Sequence, residues 1–415
     1  MKEVRLGILG LGVIGRALIK IIQENHTRIM KEYGIDFIIK RVYTEEKESS
    51  NEQWAKDLYI TNNIEEVIFG ERIDIVCETL EGKEPEFVRK HIIRTLKGKR
   101  SMIISNSRAL ASDIREIIKT MSDNKVEIRY NACVGGGIPV ATVIETTFTG
   151  DRIKSIGGIL SRETNSLYSL MKDENMEFLE ALEELNKKVF IKNITFSDLL
   201  EHEIMSELVI LGLYAMNTVI DLKNMKIEPT IHPDKIDFNG CRQLEYTIKP
   251  MGILNKNKDG LFYYTGPVAI KEKNILANIS GDDSLVFLDG EKYGRLGFMS
   301  QKMEENPTAL AMFDDLVNLL TLKRSKNPIK ININETFPQK KLYGKYIFSI
   351  PWRDGINNFI TAICLEENIT IQNMFELQGR LFFETKEISW NQKEEFERHL
   401  MEEGIQIKSS FPIFS

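Results

Sequence analysis

The sequence predicts an α/β protein in three parts: a doubly wound parallel sheet, an α+β middle region and a βαββαβ tail. Three observations carry that prediction. The buried strand Val4 to Leu9 runs straight into Gly10-Leu11-Gly12-Val13-Ile14-Gly15 and a helix. Short apolar strands and amphipathic helices then alternate as far as Tyr130. From Tyr346 to Phe414 the pattern becomes strand, helix, strand, strand, helix, strand, which is the ferredoxin-like order.

Composition sets the outer limits. A chain of 415 residues has room for two or three domains, each with its own core. Its hydrophobic fraction of 42% is ordinary for a globular protein, and a net charge of −6 gives no argument for nucleic acid or an anionic membrane as partner. No apolar run has the length of a membrane span, and no signal-peptide pattern precedes the first strand. Cys77, Cys133, Cys241 and Cys364 are scattered, without metal-ligand spacing or a disulfide framework, so a reducing cytoplasm is expected.

In the first strand–turn–helix unit each glycine has a task. Gly10 permits the tight turn, Gly12 lets backbone approach a pyrophosphate, and Gly15 lets helix and strand pack closely. The helix N-terminus, at Val13 and Ile14, offers free N–H groups to an anion. Ala17, Leu18, Ile21 and Ile22 continue the helical pattern, so the context of a dinucleotide-binding, Rossmann-type domain is complete. The second strand is Ile35 to Tyr43. An acid at its tip would favour NAD; Tyr43 and Thr44 stand there, with Lys40, Arg41 and Lys47 near and Glu45 and Glu46 just beyond. This leans toward NADP, although the same residues also suit a solvated charged loop. Ile73–Cys77, Ser101–Ile104 and Val126–Tyr130 are the further strands, with a helix over Phe87, Val88, Ile92 and Leu96.

Asn131-Ala132-Cys133-Val134-Gly135-Gly136-Gly137-Ile138-Pro139 follows. Its three glycines suit carbonyls turned toward a monovalent cation, closure around a nicotinamide, or a hinge. Gly150 to Leu160 opens the second domain as a turn and strand, and helices are expected over Phe178–Lys188 and Leu199–Leu222. On the latter, Glu201, Glu203 and Glu207 form a polar side opposite Ile204, Leu208, Leu211 and Ala215. Ile236–Ile248, Leu261–Pro267 and Ile275–Ile279 read as strands, Ala309–Leu320 as a helix returning to the first domain, and Lys323–Pro328 as a linker. Domains are therefore expected at 1–140 with a returning helix at about 306–322, at 141–305, and at 340–415.

With these landmarks in order, the chain resembles a homoserine dehydrogenase carrying a C-terminal ACT domain. The resemblance runs from GLGVIG through Ile73-Asp74-Ile75-Val76-Cys77-Glu78, Gly82-Lys83-Glu84-Pro85, Asn106, Val134–Pro139, Gly150–Ile156 and Pro307-Thr308-Ala309. It implies interconversion of homoserine and aspartate semialdehyde by hydride transfer with NAD or NADP. It also implies a small-molecule amino-acid substrate, a homodimer or homotetramer, and an amino-acid effector at the tail. Cofactor contacts are expected at Gly10, Gly12, Val13, Ile14, Gly15, Arg41, Asn106 and Gly137. A monovalent cation (Na+ or K+) is expected on the carbonyls of Val134, Gly136 and Ile138.

The chemistry departs from the family pattern. Oxidising an alcohol needs a group that takes the hydroxyl proton and a charge that steadies the developing alkoxide. The family lysine on the long helix falls at Glu207, its acidic partner at Glu203, and the lysine after the asparagine at Ser107, followed by Arg108. Glu207, Glu203 and Arg108 are thus the catalytic candidates. The substrate loop reads Ser161-Arg162-Glu163-Thr164-Asn165; Glu163, Thr164, Asn165 and Asp198 are the substrate candidates, with Lys192 near the place of a family acid. Met299–Asn306 lacks the family's glycines, Asn131 replaces a glutamate, and Asp354 replaces the proline before Gly355. The expected function is a homoserine dehydrogenase-type oxidoreductase. The same fold acting on another amino acid, hydroxy acid or semialdehyde, and a non-catalytic binding or regulatory protein, are the alternatives.

Overall fold

A computed structural model describes residues 1–45, 55–135, 137–188, 202–222, 232–257, 260–301, 307–322 and 343–414. The chain forms two compact units: residues 1–153, 205–225 and 290–335, and residues 154–204, 226–289 and 336–415.

The first unit carries strands β1 (Lys2–Leu9), β2 (Ile35–Tyr43), β3 (Ile60–Thr61), β4 (Ile75–Glu78), β5 (Ser101–Ile104) and β6 (Ile128–Arg129). They form one sheet in the order β3-β2-β1-β4-β5-β6, parallel throughout. The order reverses between β1 and β4, which is where a doubly wound sheet opens its ligand crevice. The helices are α1 (Val13–Tyr33), α2 (Ile64–Ile68), α3 (Pro85–Lys97), α4 (Ser107–Ser112), α5 (Ile114–Asn124) and α6 (Val140–Thr147). Leu18, Ile19, Ile22 and Ile29 of α1 bury one stripe against Leu6, Ile8 and Phe37 of the sheet and against Ala309, Met312, Phe313 and Leu316. The last four belong to α11 (Pro307–Thr321), so the returning helix joins this core as its sequence suggests.

The second unit is built on β7 (Ile153–Ile159), β8 (Tyr246–Asn257), β9 (Gly260–Lys271) and β10 (Ser284–Gly290), with α7 (Arg162–Asp173), α8 (Phe178–Lys188) and α10 (Lys235–Gln243). β11 (Gly294–Ser300) falls in the first unit. The tail adds β12 (Tyr343–Gly344), β13 (Tyr346–Pro351), α12 (Ile356–Glu366), β14 (Ile371–Leu377), β15 (Arg380–Thr385), β16 (Ile388–Ser389), α13 (Trp390–Glu402) and β17 (Ser409–Phe414). Its sheet order β17-β13-β15-β14 is ferredoxin-like, and β17 also pairs in parallel with β9, Ile413 opposite Ala269. Tail and middle region therefore share one sheet and one core: Ile347, Phe382 and Phe411 pack with Tyr168, Phe238 and Tyr246.

Four local expectations are corrected. Residues 236–248 are not one strand, because Asp234 and Asp237 form a capping box that starts α10, and β8 begins only at Tyr246. Ile275–Asn278 is a 3₁₀ turn capped by Asn274 rather than a strand. Arg162–Asp173, where no helix was expected, is α7, started by the Ser161 side chain. The helix sought at 199–222 is α9 (Ile204–Met216) among the described residues, and it is buried almost all round. Glu207, expected on a polar side of this helix, is buried with the rest: it is 5% exposed. Glu201, Asp198, Lys192, Gly136 and the linker at 323–328 lie outside the described residues.

Candidate active site

At the reversal point β1 ends in Gly10, whose φ of +113° suits glycine alone, and a Cβ there would overlap the backbone carbonyl of Thr79. Thr79 Oγ1 donates to the Leu9 and Gly10 carbonyls at 3.1 and 2.9 Å, tying the ends of β1 and β4 together. Gly12 caps α1 without a side chain, leaving the first N–H groups of the helix for an anion. An anion does sit there. Glu81 Oε2 accepts from Ile14 N at 3.0 Å, and the same carboxylate accepts from Val13 N. Gly15 packs against the Gly10 carbonyl, as the helix–strand contact requires. The cradle thus fits a pyrophosphate, with a carboxylate as its stand-in.

The tip of β2 carries its own polar set. Tyr43 Oη donates to Glu45 at 2.8 Å, and Lys83 Nζ pairs with the other Glu45 oxygen at 2.5 Å. Arg41 points elsewhere: it pairs with Glu66 at 3.3 Å and lies over the Tyr59 ring. Asn106 caps α4 by accepting from Ala109 N at 2.8 Å, and its own N–H donates to Glu78. Glu78 is fully buried and accepts from Leu80, Ser105 and Asn106 N–H groups at 2.8 to 3.2 Å. Burial pushes its carboxyl up and those three donors oppose the shift. Arg108 stands exposed on the first turn of α4.

The glycine loop is braced from two sides. Glu207 Oε2 accepts from Gly135 N at 2.8 Å, so this buried acid holds the loop backbone. Gly137, at φ +94°, packs against the Pro307 carbonyl, where a Cβ would not fit. The Val134 carbonyl accepts from Gly137 N at 3.1 Å and the Ile138 carbonyl from Val140 N at 2.7 Å, each keeping a second lone pair. Behind the loop, Asp315 on α11 accepts from Asn131 N at 2.9 Å and from Asn131 Nδ2 at 2.5 Å. Burial raises the Cys133 thiol, and the charges of Glu78, Asp315 and Glu207 add to that.

Burial also pushes Asp315 up to about 7, against the pull of its two bonds from Asn131. An unfolded aspartate titrates near 4, so between about pH 4 and 7 the folded state holds the extra proton. The stability this group contributes is complete below pH 4 and is lost as pH rises through 7. Asp315→Asn does not titrate, so the melting temperature of the native protein should fall relative to that variant between pH 5 and pH 8. A difference that stays flat across that range would contradict the assignment.

In the second unit Ser161 caps α7, accepting from Thr164 N at 3.3 Å, and its hydroxyl lies 3.4 Å from Glu203 Oε2. Glu163 is half-buried on the same first turn, whereas Thr164 and Asn165 are buried. The Asn165 amide nitrogen reaches the carbonyls of Ile279, Gly281 and Asp283 at 3.1 to 3.3 Å, so it fixes that loop. Lys249, also buried, donates to the Ile279 carbonyl, and burial lowers it to about 8.

Sequence reasoning missed Glu81, Asp315 and Lys249 as polar anchors. Asp315 and Lys249 carried a signal, a charge inside an apolar run; Glu81 carried none.

Two family descriptions match the chain: "Homoserine dehydrogenase, NAD binding domain" over residues 10–131, and "Homoserine dehydrogenase" over residues 139–317. A homoserine dehydrogenase of Bacillus subtilis is 24% identical over 384 residues, covering 91% of this chain and 88% of its own. One from Helicobacter pylori is 26% identical over 392 residues, covering 90% and 88%. In fold, the chain is similar to a crystal structure of a homoserine dehydrogenase from Thiobacillus denitrificans, with a TM-score of 0.91, 22% identity and coverage of 100% and 99%. Together these matches take in the glycine turn at the reversal point and most of the chain that follows it, and the chain belongs to the homoserine dehydrogenase family of NAD(P)-dependent oxidoreductases.

Proposed function

We propose that this protein interconverts homoserine and aspartate semialdehyde with NAD or NADP. The observation that carries the reading is the cradle at Gly10–Ile14, already shaped around a carboxylate, in a chain that matches homoserine dehydrogenases over nine-tenths of its length. The nicotinamide, when bound, supplies or accepts the hydride. Residues 10–15 hold the pyrophosphate, and Glu45 or Lys83 at the β2 tip meets the adenosine ribose.

For the proton, the reading assigns Glu207. A buried carboxylate beside the glycine loop is a base that can take the hydroxyl proton, so this role needs no lysine. Arg108 suits a carboxylate, which a guanidinium binds better than it relays protons. Glu203 and Glu163 suit the substrate ammonium, and Asp198 is a further candidate acid. A monovalent cation would use the second lone pairs of Val134 and Ile138. The reading extends to a homodimer or homotetramer, and to an amino-acid effector on the tail, where Gly355 at φ +77° opens α12.

Purified protein should reduce NAD or NADP in the presence of homoserine, with saturation in homoserine. Turnover of a different semialdehyde, with none of homoserine or aspartate semialdehyde, would move the chain to another substrate.

A further inference from the structure

One short turn, Glu81-Gly82-Lys83 between β4 and α3, touches both places where the first unit would anchor a dinucleotide. Glu81 holds the Val13 and Ile14 N–H groups at the start of α1. Lys83 holds Glu45 beside Tyr43 at the β2 tip. Gly12, which should let a pyrophosphate approach, has the Glu81 carboxylate as its neighbour, so close that a Cβ would overlap it.

We propose that Glu81 is a resident anion which the dinucleotide must displace, and that this residue sets the cofactor affinity of the protein. The proposal rests on the function given above. A carboxylate and a pyrophosphate cannot share one pair of N–H groups: both need the same donors, and their like charges repel. The displacement is mechanically simple. Glu81 is an exposed residue with only its tip engaged, and the backbone before it is pinned by the Glu78 bond to Leu80 N. The side chain can therefore swing out while the turn stays in place. Hydrogen bonds to a charged group are worth enough that giving them up weakens cofactor binding by roughly tenfold to hundredfold.

The test is equilibrium titration of NADPH and of NADH, followed by cofactor fluorescence, on the native protein, Glu81→Ala and Glu81→Gln. Alanine should tighten binding by roughly tenfold to hundredfold. Glutamine, which keeps an acceptor and loses the charge, should tighten it by less. A gain in affinity is a result that general damage to the fold does not produce, and the near-isosteric glutamine guards against a variant that fails to fold. Saturable binding by the native protein that neither variant strengthens would overturn this proposal alone. No saturable binding by any of the three would overturn it together with the dinucleotide reading.

Discussion

Glu207→Gln is expected to lower kcat for homoserine oxidation by about 10²- to 10⁴-fold, the usual contribution of a positioned general base. The substitution is chosen so that geometry survives. A glutamine Oε1 can accept from Gly135 N as the carboxylate does at 2.8 Å, so the glycine loop keeps its brace. What it cannot do is take a proton. Cofactor affinity should stay near its native value, because the α1 cradle does not involve Glu207. Glu207→Ala tests the other role: it leaves the Gly135 N–H without that acceptor in a buried place, at a cost of about 1–3 kcal/mol. Turnover that Glu207→Gln leaves intact would make this residue a brace for the loop and nothing more.

Gly10→Val should abolish dinucleotide binding and destabilise the first unit by several kcal/mol. Two terms add. Valine at φ +113° is strained by about 1–3 kcal/mol, and its Cβ meets the Thr79 backbone carbonyl, which cannot turn aside as a side chain could. The companion variant Gly12→Val separates fold from function. There the overlap is with the carboxylate of Glu81, a side-chain tip that can move aside, so the protein should fold and still fail to bind cofactor. Thermal melting and NADPH titration on the pair decide the matter; equal melting of both variants would show that the Gly10 turn is not rigid.

Much of the framework was legible because it depends on neighbours in sequence. Ile35–Tyr43 and Ser101–Ile104 are strands over the residues that periodicity marks, and the βαββαβ order of the tail folds as its pattern implies. The failures have long-range causes. The sequence places Glu207 on the polar side of its helix, yet a partner of its carboxylate is the backbone of Gly135, 72 residues away. The cap that Glu81 places on α1 spans 67 residues. Residues 236–248 have strand-like apolar content, and the Asp234–Asp237 capping box decided the first part in favour of a helix. Asn165, picked for substrate, spends its amide nitrogen on three carbonyls more than 110 residues further on.

The most direct test is isotopic. Aspartate semialdehyde should be incubated with the protein and NADPH or NADH deuterated at the transferring position of the nicotinamide. Homoserine carrying one deuterium on its hydroxyl-bearing carbon is the predicted product. Unlabelled homoserine, or unchanged semialdehyde beside a cofactor shown to be bound, would contradict hydride transfer in this protein.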